Sequence, residues 1–190
     1  MMVFLILVPY ATLTLLMLVT SPVPSLLAAA AICLTVIGYD VLRGRSIKLL
    51  GAGSAILFAS LGGYLMLVDP GLSPSAVKLA VDCGMLAIAL LSLAIRFPFT
   101  LQYAREVVDA QTAGLPGFLT ANYIITAVWA LAFLLMLMAN VLMIYLPGMP
   151  LWSGLAIAFA ARNTALYFTR WYPRYRRAKF PSSAGVLSGS

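Results

Sequence analysis

Apolar positions along this chain come in long unbroken runs rather than in alternation. Six such runs stand out, at about 3–20, 26–41, 49–68, 75–95, 122–146 and 151–168. Each approaches the roughly 20 apolar residues that carry a helix across a hydrocarbon layer. The pattern predicts an all-α polytopic membrane helix bundle of six transmembrane helices. The polar breaks between runs have local causes. SPVPS, VDPGLSPS and LPGMP are rich in proline, glycine and serine, the residues that make turns. Pro22 and Pro24 are expected to stop a helix, so the second span is read as starting at Leu26.

The stretch PFTLQYAREVVDAQTAG is patterned differently. Phe99, Leu101, Tyr103, Ala104, Val107 and Val108 fall on one side of a helix. Gln102, Arg105, Glu106 and Asp109 fall on the other. This predicts one short amphipathic helix over about 98–110, lying on the membrane surface. Its polar side is either a plain connector or a docking face for a soluble partner.

Charge orients the bundle. Arg43, Arg45 and Lys48 lie between spans two and three, and Arg96 and Arg105 lie between spans four and five. Arg170, Arg174, Arg176, Arg177 and Lys179 follow span six. The opposite loops carry only Lys78. Lysine and arginine concentrate on the cytoplasmic side, so both termini are expected inside. No basic residue precedes Arg43, so the first apolar run is read as a retained span and not as a cleaved signal. Trp152, Trp171 and Tyr172 sit at the ends of span six, where aromatic residues prefer the interface. The chain thus divides into a transmembrane domain at 1–172 and a tail at 173–190. The tail is read as basic, bound to anionic lipid, and then disordered. Its place under the membrane favours lipid over nucleic acid.

Composition agrees. Hydrophobic residues make up 63% and charged residues 9%, far below the roughly 25% of a soluble domain. Mean hydropathy is +1.04. There is no histidine, which removes the commonest metal ligand and general base. Cys33 and Cys83 are read as small buried hydrophobes. No phosphate-binding loop, dinucleotide fingerprint or zinc spacing is present. The carboxylates Asp40, Asp69, Asp82, Glu106 and Asp109 are too scattered to hold a magnesium ion for phosphate chemistry. Catalytic residues, metal and cofactor are therefore not expected, and an enzyme is the weakest reading.

Within the spans, polar residues carry the functional question. Arg162 lies roughly 16 Å along span six at 1.5 Å per residue, near mid-membrane. An unpaired arginine there costs about 3 kcal/mol or more. Asp82 in span four is its expected partner, with Lys78 as an alternative partner of that carboxylate. With Asn140 and Asn163, these residues form a candidate intramembrane polar cluster. It either locks helices together or lines a path for a proton or small anion. Small residues suggest close helix packing. Gly51, Ala55, Ala59 and Gly63 repeat every four residues in span three, either inside the bundle or as a homodimer face. Gly154, Ala158, Ala161 and Ala165 form a similar stripe in span six.

Span five reads WALAFLLMLMAN from Trp129 to Asn140. With PFTLQYARE and the following Leu115 and Pro116, this resembles the intracellular septation protein A family of bacterial inner-membrane proteins, over about 98–145. The chain departs from that family in carrying a further span and a basic tail. The resemblance implies a small inner-membrane protein of cell division or envelope synthesis. It implies no enzyme activity and no cofactor, and structural roles for Trp129, Ala130, Leu131 and Asn140. Two functions follow as expectations. One is a non-enzymatic protein supporting envelope or septum assembly through membrane or division partners. The other is a small transporter or channel with a polar path at Arg162, Asp82 and Asn140.

Overall fold

The computed structural model describes residues 2–146, 148 and 151–179. Among them the chain is all helical. The elements are α1 (Met2–Leu16), α2 (Pro22–Leu42), α3 (Leu49–Leu67), α4 (Pro74–Ala94), α5 (Phe99–Arg105), α6 (Ala110–Gly114), α7 (Pro116–Tyr145) and α8 (Leu151–Lys179). Four of them, α2, α3, α4 and α7, are long and apolar enough to cross a membrane. The chain is a multi-pass membrane protein. α1 has 15 residues, about 22 Å of helix against about 30 Å of hydrocarbon. α8 has 29 residues, but charge accumulates along its second half.

Three helix starts differ from the expectation for one reason. α2, α4 and α7 each begin at a proline, at Pro22, Pro74 and Pro116. Proline lacks the amide hydrogen that a first-turn residue would leave unpaired, and its fixed φ suits that position. Pro22 therefore opens α2 where it was expected to interrupt, and α7 starts well before Asn122. At α4 the start is reinforced by Ser73, whose hydroxyl accepts the Ala76 amide at 3.2 Å, an N-cap.

The end of α8 is a second correction. The helix runs on through Pro173 to Lys179, so the basic segment is its continuation and not a separate tail. Aromatic rings one turn apart bind this stretch together. Phe168 stacks on Tyr172 at 4.9 Å and Trp171 on Tyr175 at 5.0 Å between ring centroids. Lys179 Nζ donates to the Tyr175 hydroxyl at 3.1 Å. These i,i+4 contacts offset part of what the proline removes. The Arg177 side chain and the expected disordered end lie outside the described residues.

Packing proceeds along the chain. α2 lies against α3 and α1, α3 against α4, α4 against α7, and α7 against α8. The core is built from Leu26, Phe58, Leu65, Val77, Val81, Trp129 and Phe133 with small residues between them. The small-residue stripe of α8 does face inward: Ala161 and Ala165 are buried, and Gly154 sits under Met143 of α7. The stripe of α3 does not hold together as one face. Gly51 and Ala55 are covered, but Ala59 is exposed and nothing lies within 4 Å of a Cβ built on Gly63. A four-residue step overshoots the 3.6-residue turn, so the row winds off the contact. The close approaches fall elsewhere. Gly84 of α4 receives Leu57 of α3, and Gly53 of α3 receives Ile88 of α4.

Candidate functional site

Two polar sites lie in the bundle. The first is buried among three helices. Asp82, 2% exposed on α4, accepts a hydrogen bond from the Tyr10 hydroxyl of α1 at 2.9 Å. Its other carboxylate oxygen accepts from the Asn140 amide of α7. Helical counting explains the meeting. α4 and α7 run antiparallel, so the early part of one meets the late part of the other. Asp82 lies eight residues into α4 and Asn140 five residues before the end of α7. A buried carboxylate needs such partners, because apolar surroundings penalise its charge heavily. Two donors from two other helices meet that need and tie α1, α4 and α7 at one point.

This arrangement corrects the expected Arg162–Asp82 pair. Among the described residues, ion pairs within 4 Å join Asp40 to Arg45 and Lys48, and Lys48 to Glu106; Asp82 has none. Its oxygens are already taken by the shorter reach of Tyr10 and Asn140. Arg162 is half-buried on α8 and near enough for its charge to act on Tyr10. Lys78 acts on Asp82 by charge alone, one turn away on the same helix. Asn163 is exposed and donates to Phe159 O of its own helix at 2.7 Å, which removes it from the cluster. Tyr10 was missed. The available signal was a phenol eight residues into an otherwise apolar run, a hydroxyl that must find a partner once buried.

The second site lies where the α2–α3 loop meets the connector between α4 and α7. The sequence offers its members separately, Arg45 and Lys48 as orienting loop charges and Gln102 and Glu106 as part of a surface polar face. Lys48, 6% exposed, donates to Asp40 at 2.5 Å and forms an ion pair with Glu106 at 3.2 Å. Arg45 reaches Asp40 at 3.5 Å. The Lys48 ammonium also sits 5.3 Å from the Tyr103 ring centroid, a cation–π distance. Burial, then the negative charge of Asp40, pushes the Tyr103 phenol up, so it stays protonated. The Gln102 side-chain oxygen accepts the Leu49 amide at 2.6 Å, an unpaired donor at the start of α3. Beside this cluster is a cavity of about 50 Å³ whose lining includes Asp40, Lys48, Tyr103, Cys33, Ser54 and Pro9.

The connector is therefore not one surface helix. The structure breaks it into α5 and α6, with Asp109 capping α6 by accepting the Thr112 amide at 2.8 Å. These two Thr112 bonds, from amide and hydroxyl, hold the Asp109 carboxyl below its ordinary range. Phe99, Thr100, Leu101 and Gln102 are buried, and α5 packs chiefly on α7. Thr100 donates to Asn122 O at 2.9 Å and bonds Thr126 at 2.7 Å. Of the expected docking face, Gln102 and Glu106 turn inward and only Arg105 and Asp109 are exposed. Amphipathic patterning alone does not say which side is covered, and here the polar side finds polar partners on the bundle.

The remaining positions sort simply. Trp129 and Ala130 are buried, with Trp129 Nε1 donating to Thr169 at 3.0 Å. Leu131 is 54% exposed and faces lipid. Cys33 is buried, Cys83 is exposed, and both are free thiols, so only Cys33 behaves as the expected core residue. Arg170 and Arg174 are exposed near the end of α8. Comparison with protein-family models, with curated proteins and with solved structures finds no match to this chain.

Proposed function

We propose that this chain is a small non-enzymatic transporter of the bacterial inner membrane, crossing six times with both ends cytoplasmic, in which Asp82 is the proton-accepting group of a polar path. The observation that carries this reading is the Asp82 carboxylate, buried inside the bundle and held by Tyr10 and Asn140 from two other helices. An ionisable group at that depth is expensive, and where it occurs in membrane proteins it marks ion and proton pathways. Arg162 beside Tyr10 adds a positive charge to the same region. The six-span reading is supported by α1, whose Tyr10 reaches Asp82 and so shares the depth of α4. It is supported too by α8, which follows α7 back along its length.

The test is proton flux in liposomes containing the purified protein and a trapped pH indicator. The wild-type protein is expected to dissipate an imposed gradient. Asp82→Asn, which keeps the shape and can still hydrogen-bond Tyr10, is expected to abolish that flux. Equal flux from both proteins, or none from the wild type, overturns the reading.

A second reading keeps the assembly role implied by the septation protein A resemblance over 98–145. What favours it is the outward side of the connector, where Arg105, Val107 and Asp109 are exposed and within reach of a cytoplasmic partner. Co-purification of division proteins that is lost on substituting these three residues would support it, and retention of the same partners would count against it.

A further inference from the structure

A cavity lies beside Lys48. Its loop end is lined by Asp40, Ile47 and Lys48, with Tyr103 from α5, and its deeper part by Cys33, Ser54 and Pro9. Cys33 lies nine residues before the end of α2, about 13 Å of helix below the loop. Pro9 is the neighbour of Tyr10, which holds Asp82. Ser54 contacts the Met85 sulfur at 3.5 Å, and Met85 stands one turn from Asp82 on α4. The deep lining is thus linked to the Asp82 region through packed neighbours, Pro9 beside Tyr10 and Ser54 against Met85. Its volume of about 50 Å³ exceeds the roughly 10–15 Å³ needed for one water, and its polar groups supply the partners that a water requires.

The connector supplies one wall of the cavity, through Tyr103. Gln102 holds α5 to the start of α3, and Glu106 holds it to Lys48. The two halves of the Lys48 bridge are unequal. Asp40 takes the ammonium at hydrogen-bond distance. Glu106 lies at 3.2 Å, and neither of its shielded oxygens accepts a hydrogen bond among the described residues. The contact to the connector is thus the weaker one, and its release leaves Lys48 still paired with Asp40.

We infer that this cavity is a water-holding vestibule on the inner side of the path to Asp82, capped by α5 through the Glu106–Lys48 ion pair. The inference rests on the transport reading. Parting of Glu106 from Lys48 frees the α5 wall of the cavity and lets water exchange.

Cys33 reports the state of the vestibule directly, without any measurement of flux. In full-length protein reconstituted into nanodiscs, with Cys83→Ser leaving one thiol, a small charged methanethiosulfonate reagent is added in water. Cys33 is expected to react slowly in that background. Adding Glu106→Gln is expected to speed the reaction about fivefold, a shift of the size one weak contact controls, because the amide keeps the shape and loses the charge facing Lys48. Gly51→Val puts a side chain at the cavity wall, where a Cβ meets only Ile37 at 3.8 Å, and is expected to slow it. Gel filtration and melting temperature show that each variant is folded. A rate unchanged by both substitutions, or Cys33 reacting only with a lipid-soluble maleimide, overturns the vestibule. Those results leave the Asp82→Asn flux test standing. Conversely, Cys33 opening with Glu106→Gln in a protein that moves no protons retains the vestibule and removes transport.

Discussion

At the scale of single residues, the bundle turns on how a few polar side chains are satisfied in a low-dielectric interior. Asp82 is the sharpest case. Its two partners come from α1 and α7, so the carboxylate joins three helices with two hydrogen bonds. Removing one partner of a buried charged group costs about 1–3 kcal/mol. Tyr10→Phe is therefore expected to destabilise the protein by that order. Combined with Asp82→Leu, which removes the acceptor, the loss should be clearly less than the sum of the two single losses, because the contact is shared. Unfolding curves in detergent for the two single variants and the double variant measure this coupling. Strict additivity would mean that the hydroxyl and the carboxylate act independently. The same cycle between Arg162→Leu and Asp82→Asn is expected to show weaker coupling, since these side chains form no ion pair.

At the scale of elements, proline and glycine decide where helices start and how closely they pass. Prolines open α2, α4 and α7 because a first-turn residue gives up nothing by lacking an amide hydrogen. Glycines 84 and 53 form a reciprocal pair, each taking a branched side chain from the facing helix. Overpacking such a contact costs about 1–3 kcal/mol. Gly84→Val is expected to lower the melting temperature by forcing α3 and α4 apart at Leu57. Gly63→Ala, with open space around its Cβ, is expected to leave it unchanged. Equal effects at the two positions would contradict the packing of α3 on α4. Helix edges are largely legible as apolar runs: six helices of 15 residues or more fall on the six runs, and four of them are long and apolar enough to cross a membrane. The true contact glycines were not legible. A repeat of four along one helix names a row of residues, but only the facing helix selects which of them must be small.

At the scale of the whole molecule, the proposed six-span reading makes one topology out of the short loops and the placement of basic residues. The α2–α3 loop, the α5–α6 connector and the end of α8 share a side, which carries all the lysines and arginines except Lys78 and Arg162. Reporter fusions after residues 45 and 112 are therefore expected to be active only as cytoplasmic reporters. Fusions after residues 70 and 148 should be active only as external ones. A cytoplasmic signal at 70 would overturn the six-span reading.

The sequence by itself determined the solvent of this protein, its helical character and the approximate helix edges. Those properties depend on runs of neighbouring residues, and a run is visible without knowing what lies across from it. It also marked the residues that cannot be comfortable in lipid, including Asp82, Asn140 and Arg162. Which of them meet was decided only by the tertiary structure. Asp82 had several candidate partners at a comparable depth, and the choice among Arg162, Lys78, Tyr10 and Asn140 depends on the rotation and offset of four helices. The connector shows the same division. Its two-sided pattern is plain, but Gln102 and Glu106 of the polar side turn inward, where Leu49 offers an unpaired amide and Lys48 a buried positive charge. Neither is a property of the connector's own sequence.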